Sequence, residues 1–303
     1  MQISTSLFFA RSTSQMAALS AQADKLQTQI STTKKYQAPS DNVIAYGRLQ
    51  GLAVTGANAA AYANNVQLAQ TLLQQSDDTL ASVQDQVQRA QELAVQAGSD
   101  TFSDSDRAGI AVQLRAILDD LVNLANTTDA RGQPLFGAGS ADTAVTRAAD
   151  GSVSFAGSGD PMTIPVSDTT SIQPTDSAAR VFGGIETAGG TKHVFAIIGA
   201  LADALENGGD VNAAAATALG DLKASVDHLS GVRASVGARG ARLDLEQTRA
   251  ADAAAAREVD RSAIEDTDVT AAITELQKTM TILQATQASF TQLTQLSLFN
   301  YIK

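Results

Sequence analysis

The two ends of the chain carry the same repeating pattern, and this pattern restricts the possible folds more than any other feature. Within residues 1–40 and again within 262–303, apolar side chains recur at alternating steps of three and four. This spacing places them on one stripe of a helix, the stripe through which helices pair in coiled coils. The N-terminal stripe contains Phe9, Met16, Leu19, Leu26 and Ile30. The C-terminal stripe contains Val269, Ile273, Leu276, Met280, Leu283 and Phe290.

The two striped segments also differ in charge. Residues 1–40 contain four basic side chains and one acidic, whereas residues 262–303 contain four acidic side chains and two basic. We therefore expect the ends to pair as antiparallel helices. The few large apolar residues, each contributing about 2 kcal/mol when buried, do not offset a backbone ordering cost of ~1–2 kcal/mol per residue. The terminal helices are thus predicted to become rigid only when neighbouring subunits cover them.

Between the ends, the chain is organised as helices around one insertion of different character. APSDN at 38–42 predicts a break and an N-cap, followed by helices over about 43–97, 104–128, 194–205, 211–228 and 230–261. The first of these helices carries a stripe from Val66 to Ala94 at helical spacing, and the residues from Ser103 to Asp106 are expected to cap the second. Ser262 to Glu265 fits a capping box that opens the last helix. Residues 137–190, rich in Gly, Ser, Thr and Asp, predict short strands.

The predicted fold is therefore mainly α: an elongated antiparallel helical bundle or coiled coil built from both chain ends, with a small β-rich inserted domain at the far tip. Three domains are expected. Residues 1–40 and 262–303 form a terminal assembly domain, residues 41–136 and 191–261 a helical middle domain, and residues 137–190 a β-rich outer domain.

Composition excludes several classes of function. The chain has no Cys, so thiol chemistry and cysteine-held metals are ruled out, and its net charge of −11 opposes nucleic-acid binding. The start lacks the basic and apolar regions of a secretory signal. The stretches 49–76 and 279–302 carry no charge, but their many Gln, Asn and Thr residues argue against membrane insertion. These stretches are instead expected to be covered by this chain or by copies of it.

No catalytic constellation or cofactor motif stands out. His193 and His228 are the only imidazoles, and neither has a companion at metal-ligand spacing. The acidic cluster at 265–268 has calcium-compatible composition but no ligand loop with a central Gly, so helix capping is favoured. Asn126-Thr-Thr fits the glycosylation pattern, with a helix end as the default interpretation. We expect no enzyme activity, no metal and no cofactor.

Nine short strings, in order, resemble the bacterial flagellin superfamily. They are MQIST at 1–5 with LQTQIST at 26–32 and APSDN at 38–42, AVQAG at 94–98, SDSDR at 103–107, LVNLAN at 121–126, LFGAG at 135–139, SAIEDTD at 262–268 and LSLFNYI at 296–302. Lys34 and Lys35 stand where the family usually has Gly-Lys-Arg. Residues 140–190 are unmatched. The LSLFNYI ending resembles the hook-associated members of the superfamily more than its filament subunits.

This resemblance implies a structural subunit that joins the hook of the flagellum to its filament through helical self-assembly. The implied partners are copies of itself, a neighbouring hook-associated protein on the hook side, flagellin or another junction protein on the filament side, and an export chaperone. It also implies type III export and an extracellular location at the junction. The expected assembly residues are the two stripes together with Leu298, Phe299 and Tyr301. The alternatives are a filament flagellin, or a secreted adhesin or enzyme on a flagellin-like scaffold.

Overall fold

The computed structural model describes residues 2–139, 143–157 and 159–299, with side chains described for 7–139, 143–157 and 159–292. The chain divides into two compact units, one made of residues 1–58 and 252–303 and the other of residues 59–251. The three-domain division expected from the sequence stays a prediction.

Seven helices lie in the described residues: α1 (Gln2–Thr32), α2 (Val43–Ala97), α3 (Asp104–Ala125), α4 (Ala178–Phe182), α5 (Val194–Asn207), α6 (Val211–Glu265) and α7 (Val269–Phe299). Six short strands lie between α3 and α5: β1 (Val145–Arg147), β2 (Val153–Phe155), β3 (Ile164–Pro165), β4 (Ser171–Ile172), β5 (Ile185–Thr187) and β6 (Gly190–Lys192). The mainly α fold with a β-rich insertion is confirmed.

The first unit pairs the two ends of the chain, as the stripes predict. α1 packs along α7, and Phe9 meets Phe290 with ring centroids 5.4 Å apart. α2 begins where the sequence indicates, because the side chain of Asn42 accepts hydrogen bonds from the amides of Ile44 and Ala45. The pairing of α1 with α7 therefore follows from sequence periodicity, and the start of α2 follows from local capping chemistry.

The second unit holds a continuous apolar core. The predicted stripe of α2 is buried along its length, and α6 contributes Leu222, Leu229, Val236 and Leu243 at every seventh position. α3 and α5 pack against each other. In the insertion, the ring of Phe182 meets Phe136 edge to face and Phe195 at a tilt, with centroid distances of 5.6 and 5.3 Å. The β region thus shares the helical core through these rings.

The strands form three separate two-stranded antiparallel sheets, β1 with β2, β3 with β4 and β5 with β6. The predicted strand content of 137–190 is confirmed, with two differences. A short helix, α4, interrupts the region, and β6 extends to Lys192. Ser177 caps α4 by accepting a hydrogen bond from the amide of Arg180.

Two predictions about α6 are wrong. The expected break between 228 and 230 does not occur, since Leu229 and Val232 are buried around Gly231, whose own position faces open space. A single exposed Gly lowers helix stability by about 1 kcal/mol, which does not end a helix whose residues before and after the Gly are buried in the core. Ser262 to Glu265 form the last turn of α6 and not a capping box. The side chain of Asp268 caps α7 instead, accepting from the amide of Ala271.

Candidate assembly surface

On α1 the predicted stripe is the face that meets α7. Its five large residues are all half-buried, while the positions on either side of each are mostly exposed. The stripe is therefore covered on one side by α7 and remains partly open to solvent.

On α7 the structure corrects the predicted stripe at two positions. Val269, Leu276, Leu283 and Phe290 are half-buried as expected. Ile273 and Met280 are exposed, at 41% and 48%, whereas their neighbours Ala272 and Thr279 are buried, at 7% and 2%. A repeat of 3.5 residues and a helix of 3.6 residues per turn diverge slowly. Two neighbouring rows of side chains on α7 can therefore face α1. In the structure the row with the smaller side chains, Ala272 and Thr279, faces it.

The larger apolar side chains of α7 consequently lie outside the pair. Ile273 and Met280, seven residues apart, share one flank of the seam. Ile282 lies on the other flank, where it lines a shallow groove with Phe8. We call these four side chains the apolar flanks. Leu298 and Phe299 belong to α7, but their side chains, and Tyr301 altogether, lie outside the described residues.

A polar clasp joins the segment after α1 to the turn between α6 and α7. The amide of Lys35 donates to the carbonyl of Glu265 at 2.7 Å, and the amide of Thr267 donates to the carbonyl of Thr33 at 2.9 Å. The Lys34 ammonium lies 2.5 Å from the buried Glu265 carboxylate, which also pairs with Arg261. These cations lower the pKa of Glu265, the hydrogen bond from Lys34 having the largest effect.

Asp41 stabilises the loop that precedes α2. Its carboxylate accepts hydrogen bonds from the amides of Gln37 and Ala38 and pairs with Lys25 at 2.9 Å. These contacts, led by the Gln37 amide, lower the pKa of Asp41 to about 2. The APSDN string is thus a structural turn whose charged residue ties the loop to α1.

The residues considered in the sequence as possible metal ligands or a modification site hold parts of the fold together. His193 accepts from the amide of Ala196 and is the N-cap of α5, and burial lowers its pKa. Nε2 of His228 lies 2.9 Å from the carbonyl oxygen of Arg180. Asn126 binds β1 through the amides of Ala144 and Val145. Over the described ranges no three His, Cys, Asp or Glu side chains come together as a metal site.

A buried charge cluster in the second unit was not predicted from the sequence. Asp176, 2% exposed, is paired with Arg239 of α6 and with Arg180. Arg239 also donates to the carbonyl of Gln173. No local signal marks the pairing of Asp176 with Arg239, because Arg239 lies 63 residues further along the sequence. None of the helices in the described part of the chain has both the length and the apolarity that crossing a bilayer requires.

The paired terminal helices, the apolar flanks and the β-rich insertion are features of a mainly helical protein whose two chain ends form one bundle. Family models place it more closely: the bacterial flagellin N-terminal helical region matches residues 3–141, and the bacterial flagellin C-terminal helical region matches residues 219–302. The chain belongs to the bacterial flagellin family, which confirms the resemblance seen in the sequence.

Within this family the chain is similar to hook-associated members over its whole length. Flagellar hook-associated protein 3 of Salmonella typhimurium is 29% identical over 315 residues, covering 99% of each chain. The Escherichia coli protein of the same name is 28% identical over 324 residues, covering 100% of each chain. The flagellar junction protein FlgL from Legionella pneumophila has the same fold, with a TM-score of 0.59 at 15% identity over 72% of this chain and 99% of that one.

Proposed function

We propose that this chain is a structural subunit of the bacterial flagellum, a hook-associated junction protein that links hook and filament through helical self-assembly. The observation that carries the proposal is the position of the apolar flanks. Ile273, Met280 and Ile282 lie outside the α1–α7 seam, so the terminal pair has apolar surface that the described residues of its own unit leave partly exposed. The full-length similarity to hook-associated proteins supports a place in the flagellum.

The energetics favour completion of the terminal pair by neighbouring subunits. The seam holds Ala272 and Thr279, whose small side chains bury little apolar area. Full burial of Ile273, Met280 and Ile282, each about four-tenths to one-half exposed, adds about 1 kcal/mol per side chain. In each copy this burial adds to the stabilisation that the α1–α7 seam provides, so contact with neighbouring copies favours ordered terminal helices.

The proposed partners follow from this role. Copies of the same chain, a hook-associated protein on the hook side, and flagellin or another junction protein on the filament side would cover the apolar flanks. An export chaperone would cover them before assembly, since uncovered apolar helices aggregate. The proposed location is outside the cell, at the hook–filament junction after type III export, and the proposed role is structural and not catalytic.

Substitution on the apolar flanks tests the function. We expect Ile273→Glu with Met280→Glu to leave a soluble protein with its 59–251 core intact and to abolish incorporation into flagella, because both side chains would place charge in a buried contact. Val112→Glu, at a position 68% exposed on α3, is the matched control and should incorporate normally. Normal incorporation of the double variant would refute the proposed role of the flanks.

Immunogold labelling of intact cells tests the location. Label confined to the base of the filament is the expected result. Label along the whole filament would instead identify a filament flagellin, and label spread over the cell surface would support a secreted adhesin.

A further inference from the structure

The first unit contains a groove that its described residues leave unfilled. The groove has a volume of about 750 Å³ and lies between the start of α2, the end of α6 and the segment after α1. Its apolar wall is formed by Tyr36, Tyr46, Leu49, Leu52 and Ala53. The opposite wall is a row of α6 residues: Ala254, Arg257, Glu258, Arg261 and Glu265.

One cation in this groove has no carboxylate partner among the described residues. Arg261 pairs with Glu258 and Glu265, and Lys34 pairs with Glu265, so both carboxylates of the groove are already engaged. Arg257 is half-buried, and no carboxylate contacts it in the part of the chain that the structure describes. A half-buried guanidinium beside tyrosine and leucine side chains favours an occupant with one apolar side chain and a carboxylate next to it.

The far side of the same helix segment carries that combination. Val259 is 68% exposed, and Asp252 and Asp260 beside it are exposed and make no ion pair in the described residues. Residues that are two positions apart in a helix point in directions about 200° apart around its axis. Val259 therefore points almost opposite to Arg261 and away from the groove. We call Asp252, Ala256, Val259 and Asp260 the ridge.

We propose that the ridge of one copy of this chain docks into the groove of the next copy, with Val259 against the apolar wall and Asp252 or Asp260 against Arg257. The inference rests on the proposed self-assembly and names its lateral contact. Groove and ridge are different surfaces on opposite sides of one helix, so the contact is heterologous: every bound copy presents a new ridge. Such contacts propagate into a ring or an open helix, and a self-complementary contact would stop at two copies.

Cysteine cross-linking tests the geometry without a background, since the natural chain has no Cys. The full-length chain carrying both Ala53→Cys and Val259→Cys is assembled in flagella, and isolated hook–filament particles are then oxidised. We expect a ladder of disulfide-linked chains longer than dimers. Ala53→Cys with Val112→Cys is the matched control and should give no ladder, because Val112 lies on α3, outside the ridge.

Charge exchange tests the polar part of the contact. Arg257→Asp added to the cysteine pair should reduce the ladder yield about tenfold, because a salt bridge becomes a repulsion. Adding Asp252→Arg and Asp260→Arg should restore the yield to within about twofold of the parent. Arg48→Asp makes the same charge change at an exposed position of α2 outside the groove, and it should leave the yield unchanged.

The outcomes separate the inference from the proposed function. Particles that contain the wild-type chain while the cysteine pair gives no ladder would overturn the ridge–groove contact alone. A product that stops at dimers would also overturn it, because it indicates a self-complementary contact. If the wild-type chain is absent from the particles, the proposed function fails and the lateral contact fails with it.

Discussion

Phe9 and Phe290 lie 281 positions apart in the sequence, yet their rings meet edge to face at 5.4 Å with an interplanar angle of 88°. This contact is the clearest link between the two ends of the chain. Edge-to-face ring pairs contribute ~0.5–1.5 kcal/mol beyond the area they bury. The pair therefore fixes the register of α1 against α7 near the chain termini.

The ring pair gives the first prediction. Phe9→Ala and Phe290→Ala should each lower incorporation against co-expressed wild-type chain by roughly 5–30-fold, equivalent to about 1–2 kcal/mol for a half-buried ring. The double variant should lose about 0.5–1.5 kcal/mol less than the sum of the single losses, since the second substitution removes a contact already broken. Strict additivity would show that the rings are not coupled. Ser14→Ala, at an exposed position of α1, is the control.

The second prediction concerns the side chain that holds β1 to the end of α3. Asn126 accepts hydrogen bonds from two amides and donates to the carbonyl of Val145. Asn126→Ala leaves these groups unpaired, so we expect a loss of about 2 kcal/mol in the free energy of unfolding. Thermal unfolding of the purified chain measures this loss. Asn123→Ala changes an exposed amide of the same helix and should have almost no effect; equal losses for both variants would contradict the assignment.

The buried carboxylate of Asp176 gives the third prediction. Arg239→Leu removes the more buried of its two cationic partners and should destabilise the 59–251 unit by about 3 kcal/mol, because the buried charge then keeps only the exposed Arg180 as a partner. Combining Arg239→Leu with Asp176→Leu should recover more than half of that loss in denaturant unfolding. Arg242→Leu is the exposed control. A double variant as unstable as Arg239→Leu alone would place the cost in packing and not in charge.

The fourth prediction concerns pH. Burial beside Phe155 and Phe195 lowers the pKa of His193 below its ordinary value of 6.5, and its capping bond to Ala196 requires an unprotonated ring nitrogen. Folding thus favours the neutral ring. This contribution is complete above pH 6.5 and is lost as pH falls from 6.5 towards the lower pKa of the folded state.

The measurement is the difference in unfolding free energy between the wild-type chain and His193→Asn, which keeps a capping side chain without a titration. We expect the wild-type chain to lose stability relative to the variant between pH 7 and pH 5. A difference that stays constant over this range would refute the capping role of the neutral ring.

Much of the fold could be predicted from the sequence because local patterns determine it. The helix stripe of α2 is buried at the positions that its spacing indicates, and Ser103 forms the predicted cap of α3 with Asp106. The pairing of the ends followed from two matching stripes of opposite charge. These features depend on residues that are close together in the sequence or on a periodicity that extends along a whole helix.

The remaining features depend on contacts that no local pattern specifies. Ile273 and Met280 have the apolar character and the spacing of residues in a helix–helix seam. Only the packing of α1 determines that Ala272 and Thr279 face inward instead. The clasp, in which Lys34 meets Glu265, joins segments at opposite ends of the sequence. Arg257, which has no carboxylate partner among the described residues, is likewise visible as a candidate contact only once its groove is formed.

Hydrogen exchange on the amides of α1 and α7 tests the central claim most directly, comparing the chain free in dilute solution with the same chain in isolated hook–filament particles. We predict rapid exchange in the free chain along the seam from Val269 to Phe290 and strong protection in the particles, with the α3–α5 core protected in both. Full protection of these amides in the free chain would contradict the claim that neighbouring subunits complete the terminal helices.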